Sequence, residues 1–100
     1  MKYDKLFETA KIGSLTLKNR FIMGAMGVGF AEMNGNPTDR TVAYYEERAK
    51  GGYALIITEV TRVQDTEFCT PLEPSLGSDK FIPGWKKVTD AVHAQGAYIF

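Results

Sequence analysis

Arg20-Phe21-Ile22-Met23-Gly24-Ala25-Met26-Gly27-Val28-Gly29-Phe30 is the stretch on which the fold turns. A basic residue opens an apolar run that closes in small residues and glycines, and helical periodicity resumes only several residues later. Apolar residues without alternation suit a parallel strand covered on both faces. Glycines just beyond it let a backbone approach a ligand with no side chain in between. The run therefore reads as a buried strand, roughly Phe21 to Met26, whose carboxyl end opens into a loop suited to a flat ligand.

Working outward, Lys11-Ile12-Gly13-Ser14-Leu15-Thr16-Leu17-Lys18 alternates around a Gly-Ser pair and reads as a short hairpin. Leu15 and Leu17 fall on one face, Thr16 and Lys18 on the other. Downstream, Asn34-Gly35-Asn36-Pro37 is dense in turn formers, and Thr38 or Asp39 is placed to cap a helix from Thr41 to about Lys50. Val42, Tyr45 and Ala49 form its buried stripe, and Gly51-Gly52 its stop. Tyr53 to Thr58 is a second strand of the buried type, running into Glu59-Val60-Thr61-Arg62. Val63 to Gly77 is polar, holds Pro71 and Pro74, and reads as a long loop of the functional or mobile kind. Ser78 or Asp79 then caps a second helix whose apolar positions Phe81, Trp85, Val88 and Val92 share one face. Pro83 fits only in its first turn, Gly96 ends it, and Ala97 to Phe100 is a third strand.

A hairpin followed by strand–helix–strand–helix–strand predicts a parallel sheet with right-handed crossovers. A doubly wound nucleotide fold would place G-x-G-x-x-G and a helix start directly after the first strand. Gly24, Gly27 and Gly29 are spaced G-x-x-G-x-G instead, and the helix starts too late. The favoured fold class is α/β: the first three strands and two helices of an eight-fold (β/α) barrel, preceded by a short hairpin. Such a barrel needs roughly 250 residues, and this chain has 100. Residues 1–100 are accordingly expected to be the amino-terminal part of a longer barrel domain.

Composition narrows the partners. Twelve basic and twelve acidic residues cancel, which gives no pull toward nucleic acid or an anionic membrane. No run has the length of a membrane span, and the start lacks the apolar core of a signal peptide. One cysteine, Cys69, forms no internal disulfide, so a cytoplasmic location is expected.

In a barrel the chemistry sits at the carboxyl ends of the strands. That singles out Gly24-Ala25-Met26-Gly27 and Thr58-Glu59-Val60. The first offers backbone polar groups and small apolar surface, suited to a planar aromatic cofactor, or is a glycine turn shaped only by packing. Glu59 is a candidate general base, with pairing to Arg62 or Arg20 the favoured alternative. His93 near a helix end complements the helix dipole. Cys69 has no His or Cys at metal-ligand spacing and reads as a plain loop thiol.

Several segments together resemble the old yellow enzyme family of NADH:flavin oxidoreductases. They are Lys5-Leu6-Phe7 with Ile12-Gly13, Leu17-Lys18-Asn19-Arg20, and Ile22-Met23-Gly24-Ala25-Met26. Tyr44-Tyr45-Glu46-Glu47-Arg48-Ala49-Lys50-Gly51-Gly52, Leu55-Ile56-Ile57-Thr58-Glu59-Val60, Gly77-Ser78-Asp79 and Thr89-Asp90-Ala91-Val92-His93-Ala94-Gln95-Gly96 follow in order. The Gly-Ala-Met form is most similar to the branch of 2,4-dienoyl-CoA and enoate reductases. The resemblance implies a barrel that binds FMN at its rim, takes hydride from NAD(P)H and passes it to an activated alkene, a small-molecule partner. Ala25, Met26 and Gly27 would pass beside the flavin ring and Val60 would approach its edge. Many relatives have Pro at the position of Ala25, and some a small residue or Gly at that of Val60.

The family's catalytic residues and phosphate loops would lie beyond Phe100, so none is assigned here. Where the protein follows the reductase branch, a 4Fe–4S cluster and FAD would lie there too, and the full-length protein would be free to form oligomers. The competing readings are a barrel lyase or aldolase without flavin, and an inactive fragment with at most a binding role.

Overall fold

The computed structural model describes residues 2–64 and 70–100. A short helix α1 (Asp4–Phe7) leads into a hairpin of β1 (Ala10–Ile12) and β2 (Leu15–Leu17). Then come β3 (Ile22–Met23), α2 (Asp39–Lys50), β4 (Leu55–Ile56), a 3-10 turn (Asp79–Phe81), α3 (Ile82–Ala94) and β5 (Tyr98–Ile99). The hairpin pairs Ile12 with Leu15 across Gly13-Ser14, and Gly13 supplies the left-handed turn conformation with φ +56°. Leu17 is buried while Thr16 and Lys18 are exposed, as the alternation predicts.

β3, β4 and β5 form a parallel sheet in that order, with Ile22 level with Leu55 and Leu55 level with Tyr98. α2 is held at its start by a reciprocal cap. The Thr38 hydroxyl accepts from the Thr41 N–H, and the Thr41 hydroxyl accepts from the Thr38 N–H. Ser78 caps the 3-10 turn that runs straight into α3, with Pro83 in the first turn of that helix. The helix begins later than a reading from Ser78 anticipates, because the tighter turn takes up the first residues.

Both helices pack on one face of the sheet. Tyr45 and Ala49 of α2, with Phe81, Trp85, Val88 and Val92 of the second helical segment, close over Met23 and Ile56. The stripe Phe81, Trp85, Val88, Val92 is buried throughout, as its spacing predicts. In α2 Thr41 is buried and Val42 only partly so, since the capping interaction turns Thr41 inward.

The expectation that the strands are covered on both faces needs correction. Leu55 is buried beneath Leu17 of the hairpin, yet Ile22, Ile57, Tyr98 and Phe100 are exposed. Alternation puts these four on the face away from the helices. Among the described residues only the hairpin covers that face, and only at the amino-terminal end of the strands. The regular strands are also shorter than expected, although pairing continues past them: the Ile57 N–H donates to Met23 O and the Thr58 N–H to Phe100 O.

Candidate functional site

The carboxyl ends of β3 and β4 lie side by side because the two strands are paired up to Met23 and Ile57. Past Met23 the chain leaves the sheet, and Gly24, Ala25, Met26 and Gly27 are all exposed. A Cβ added at Gly24 or Gly27 would meet nothing within 4 Å, so the space above this backbone is open. Neither glycine has a left-handed φ, and what they contribute is the lack of a side chain rather than an unusual turn. Among the described residues, the N–H groups of Ala25, Met26, Gly27 and Val60 have no internal hydrogen-bond partner. Val60 is 43% exposed at the end of β4. The rim thus offers bare peptide edges and apolar surface with no charged side chain among its four predicted contacts. That donor set fits a flat, polar-edged ring such as a flavin.

Between Thr58 and Val60, Glu59 turns the other way and is only 3% exposed. Its Oε2 accepts from the Val28 N–H at 2.8 Å and from the Gly29 N–H at 3.4 Å. Two successive N–H groups converging on one oxygen make a small anion-binding nest. Gly29, with φ +68°, supplies its left-handed half. The Glu59 N–H donates to the Tyr45 hydroxyl at 2.9 Å, and the Thr61 hydroxyl donates to Glu59 O. Among the described residues Glu59 does not pair with Arg62 or Arg20 as the sequence suggests: its carboxylate is bound by backbone amides of the loop after β3. Arg20 reaches Glu8 and Thr9 O instead.

Burial raises the Tyr45 hydroxyl to about 12; its hydrogen bond to the Glu59 backbone opposes this, while the Glu59 charge adds to the rise. A proton held more tightly in the folded than in the unfolded state gives stability that is complete below the unfolded value and is lost above it. Stability is therefore expected to fall by roughly 2–3 kcal/mol between about pH 10 and pH 12. Tyr45→Phe should remove that alkaline component and should also lower stability at neutral pH by about 1–3 kcal/mol, because the Glu59 N–H loses its buried partner. Urea unfolding of both proteins at neutral pH and across that alkaline range checks the two effects together.

The loop after β4 is anchored rather than loose where it is described. Arg62 Nε lies 3.7 Å from Glu73 Oε1, with the two side chains 5% and 0% exposed. Arg62 also donates to Asn34 O, its N–H donates to Pro74 O, and Leu76 donates back to Arg62 O. Glu73 Oε2 accepts from the Thr70 N–H and hydroxyl. Ser75 is fully buried, donates its N–H to Gly35 O and accepts from Trp85 Nε1 at 2.8 Å. The buried ion pair thus braces the loop after β4 from within, the bonds of Arg62 to Asn34 O and of Ser75 to Gly35 O tie that loop to the one after β3, and the Trp85 bond to Ser75 O ties it to α3. Charged residues in a stretch without periodicity gave no sign of this in the sequence. Cys69 lies outside the described residues.

His93 is exposed in the last turn of α3, at the amino-terminal end of the sheet and away from the rim. A wide cleft of about 830 Å³ lies at the starts of α2 and α3, lined by Phe30, Pro37, Arg40, Leu72, Pro83 and Lys87 among others, and it includes none of the four rim residues. An open three-stranded sheet has no concavity of its own at the rim, since the walls of a barrel mouth come from strands all round it. No group of three metal-ligating side chains occurs among the described residues, and no described helix is long and apolar enough to cross a membrane.

The family model of the NADH:flavin oxidoreductase / NADH oxidase family matches residues 5–100. A metal reductase of Desulforamulus reducens is 40% identical over 94% of this chain and 14% of its own length. A cinnamate reductase of Clostridium sporogenes is 38% identical over 99% of this chain and 16% of its own. Among solved structures, 2-naphthoyl-CoA reductase in complex with 2-naphthoyl-CoA superposes with a TM-score of 0.93, at 33% identity over 97% of this chain and 15% of that one. The chain thus spans about a seventh of the length of each of these three relatives.

Proposed function

Because the chain belongs to the NADH:flavin oxidoreductase / NADH oxidase family, we propose that it forms the amino-terminal part of an FMN-dependent, NAD(P)H-oxidising reductase of activated C=C bonds. The observation that carries this reading is the family match over residues 5–100, with the hairpin and three parallel strands in the same arrangement as a reductase barrel. On this reading residues 1–100 open the barrel domain, and further strands complete the rim.

FMN, when bound, supplies hydride transfer between a reduced pyridine nucleotide and the β-carbon of an enoyl or enone substrate. The part of this chain is to hold and orient. Ala25, Met26 and Gly27 present unpartnered peptide N–H groups and a nearly side-chain-free edge to one part of the ring. Val60 presents an apolar side chain from the neighbouring strand, closes that side against water, and brings its own N–H to the same rim. Hydrogen bonds from such fixed backbone donors tune the electronics of a flavin. The general acid and the phosphate-binding groups lie outside these residues.

The likeness to the cinnamate reductase supports the branch of enoate and 2,4-dienoyl-CoA reductases and an acyl-type alkene as substrate. The length of that relative beyond the shared part leaves room for the 4Fe–4S cluster and FAD of that branch. Balanced charge and a single cysteine support a cytoplasmic protein.

The full-length protein is expected to bind FMN stoichiometrically. Its flavin absorbance should bleach with NADH or NADPH and return on addition of an enoyl substrate without air. A protein that holds no flavin after reconstitution would overturn the proposal, and flavin that bleaches but is not reoxidised by any enoyl or enone compound would overturn the substrate class.

A further inference from the structure

Glu59 has a place in this site that its buried position hides. We infer that Glu59 is the positioning residue that fixes the two flavin-facing segments relative to each other, an inference that rests on the flavin reading of the rim. Its side chain joins the two segments at their nearest residues. Val60, the predicted ring-edge contact, is the next residue after Glu59. Val28, which donates to Glu59 Oε2 at 2.8 Å, is the next residue after Gly27. A single carboxyl group therefore sets the distance between the Ala25–Gly27 backbone and Val60.

Three features make this a built clamp. Glu59 is 3% exposed, so water does not compete for its oxygen. Two adjacent N–H groups, of Val28 and Gly29, converge on Oε2, a charge-assisted arrangement stronger than a neutral hydrogen bond. The Glu59 backbone is itself held from both sides, by the Tyr45 hydroxyl at its N–H and by the Thr61 hydroxyl at its carbonyl. The clamp is thus braced against α2 and against the loop that follows β4, while the residues it positions stay exposed. Its Oε1 is buried without a hydrogen-bond partner among the described residues.

The test compares Glu59→Gln, which keeps a side-chain acceptor, with Glu59→Met, which keeps the length and removes it, in the full-length protein. Amide hydrogen exchange is measured first without added flavin. Glu59→Met should speed exchange at Val28 and Gly29 by about tenfold or more, while the α2 and α3 core keeps its protection. Glu59→Gln should stay within about threefold of the parent. Titration with FMN should then show weaker binding by about tenfold and a shifted flavin absorption band for Glu59→Met, both largely restored in Glu59→Gln. Unchanged exchange and unchanged flavin binding in Glu59→Met would overturn the inference, and so would a Gln variant as defective as the Met variant. If the parent protein binds no FMN, the functional reading falls, while the exchange data still decide whether Glu59 holds the loop.

Discussion

Replacing Glu73 by alanine is expected to destabilise the protein by about 3–5 kcal/mol, the largest effect of any single substitution considered. The figure follows from what remains behind. Arg62 is 7% exposed and faces Glu73 across 3.7 Å, so removing the carboxylate takes from a buried guanidinium the counter-charge that Glu73 supplies and empties the buried space Glu73 fills. The exposed pair of Lys86 with Asp90 sits at 70% and 60% exposure, and breaking it should change stability by less than about 1 kcal/mol. A double replacement, Arg62→Met with Glu73→Leu, should be less damaging than Glu73→Ala alone, because it removes both charges and keeps apolar volume. Urea unfolding midpoints at constant m-value measure all three. A loss below about 1 kcal/mol for Glu73→Ala would show that the pair does no more than a surface pair.

Gly35→Ala comes second, at about 3 kcal/mol. Gly35 sits at φ +94°, where an alanine is strained by roughly 1–2 kcal/mol. Its added Cβ would also stand 2.7 Å from Ser75 Cβ and against the Arg62 guanidinium, and overpacking of this kind costs a further 1–3 kcal/mol or so. Gly13 separates the two contributions. It too has a positive φ, +56°, but an added Cβ there would meet nothing within 4 Å. Gly13→Ala should therefore cost only about 1 kcal/mol, the backbone part alone. Equal losses at the two positions would mean that the packing of Gly35 against Arg62 and Ser75 contributes nothing.

These two substitutions act on the part of the molecule that the sequence conceals. Helix faces are legible because burial imposes a period: Phe81, Trp85, Val88 and Val92 could be picked out by spacing alone. The hairpin is legible from alternation around Gly13-Ser14, and the rim from the change of apolar strand into glycine. Arg62, Glu73 and Ser75 carry no such mark. They lie in a stretch that reads as polar loop, and their burial arises from contacts between segments distant in sequence, Gly35 with Ser75 and Ser75 with Trp85.

Glu59 is a case between these. Its position at the end of β4 marked it as a residue of interest, but its partners are peptide groups, and peptide groups leave no signature in side-chain identity. The expectation of strands covered on both faces shows the converse limit. Ile22, Tyr98 and Phe100 have the composition of buried residues, yet what covers their face among the described residues is only the hairpin at one end.

The central claim is that the exposed backbone after β3 and the side chain at the end of β4 together form one wall of a flavin site. A crystal structure of the full-length protein reconstituted with FMN tests it most directly. The account predicts the flavin ring lying along Ala25, Met26 and Gly27 with Val60 at its edge, heavy atoms within about 4 Å, and Glu59 still holding Val28 and Gly29 behind them. Flavin bound elsewhere, with Gly24 to Gly27 and Val60 still open to solvent, would contradict it.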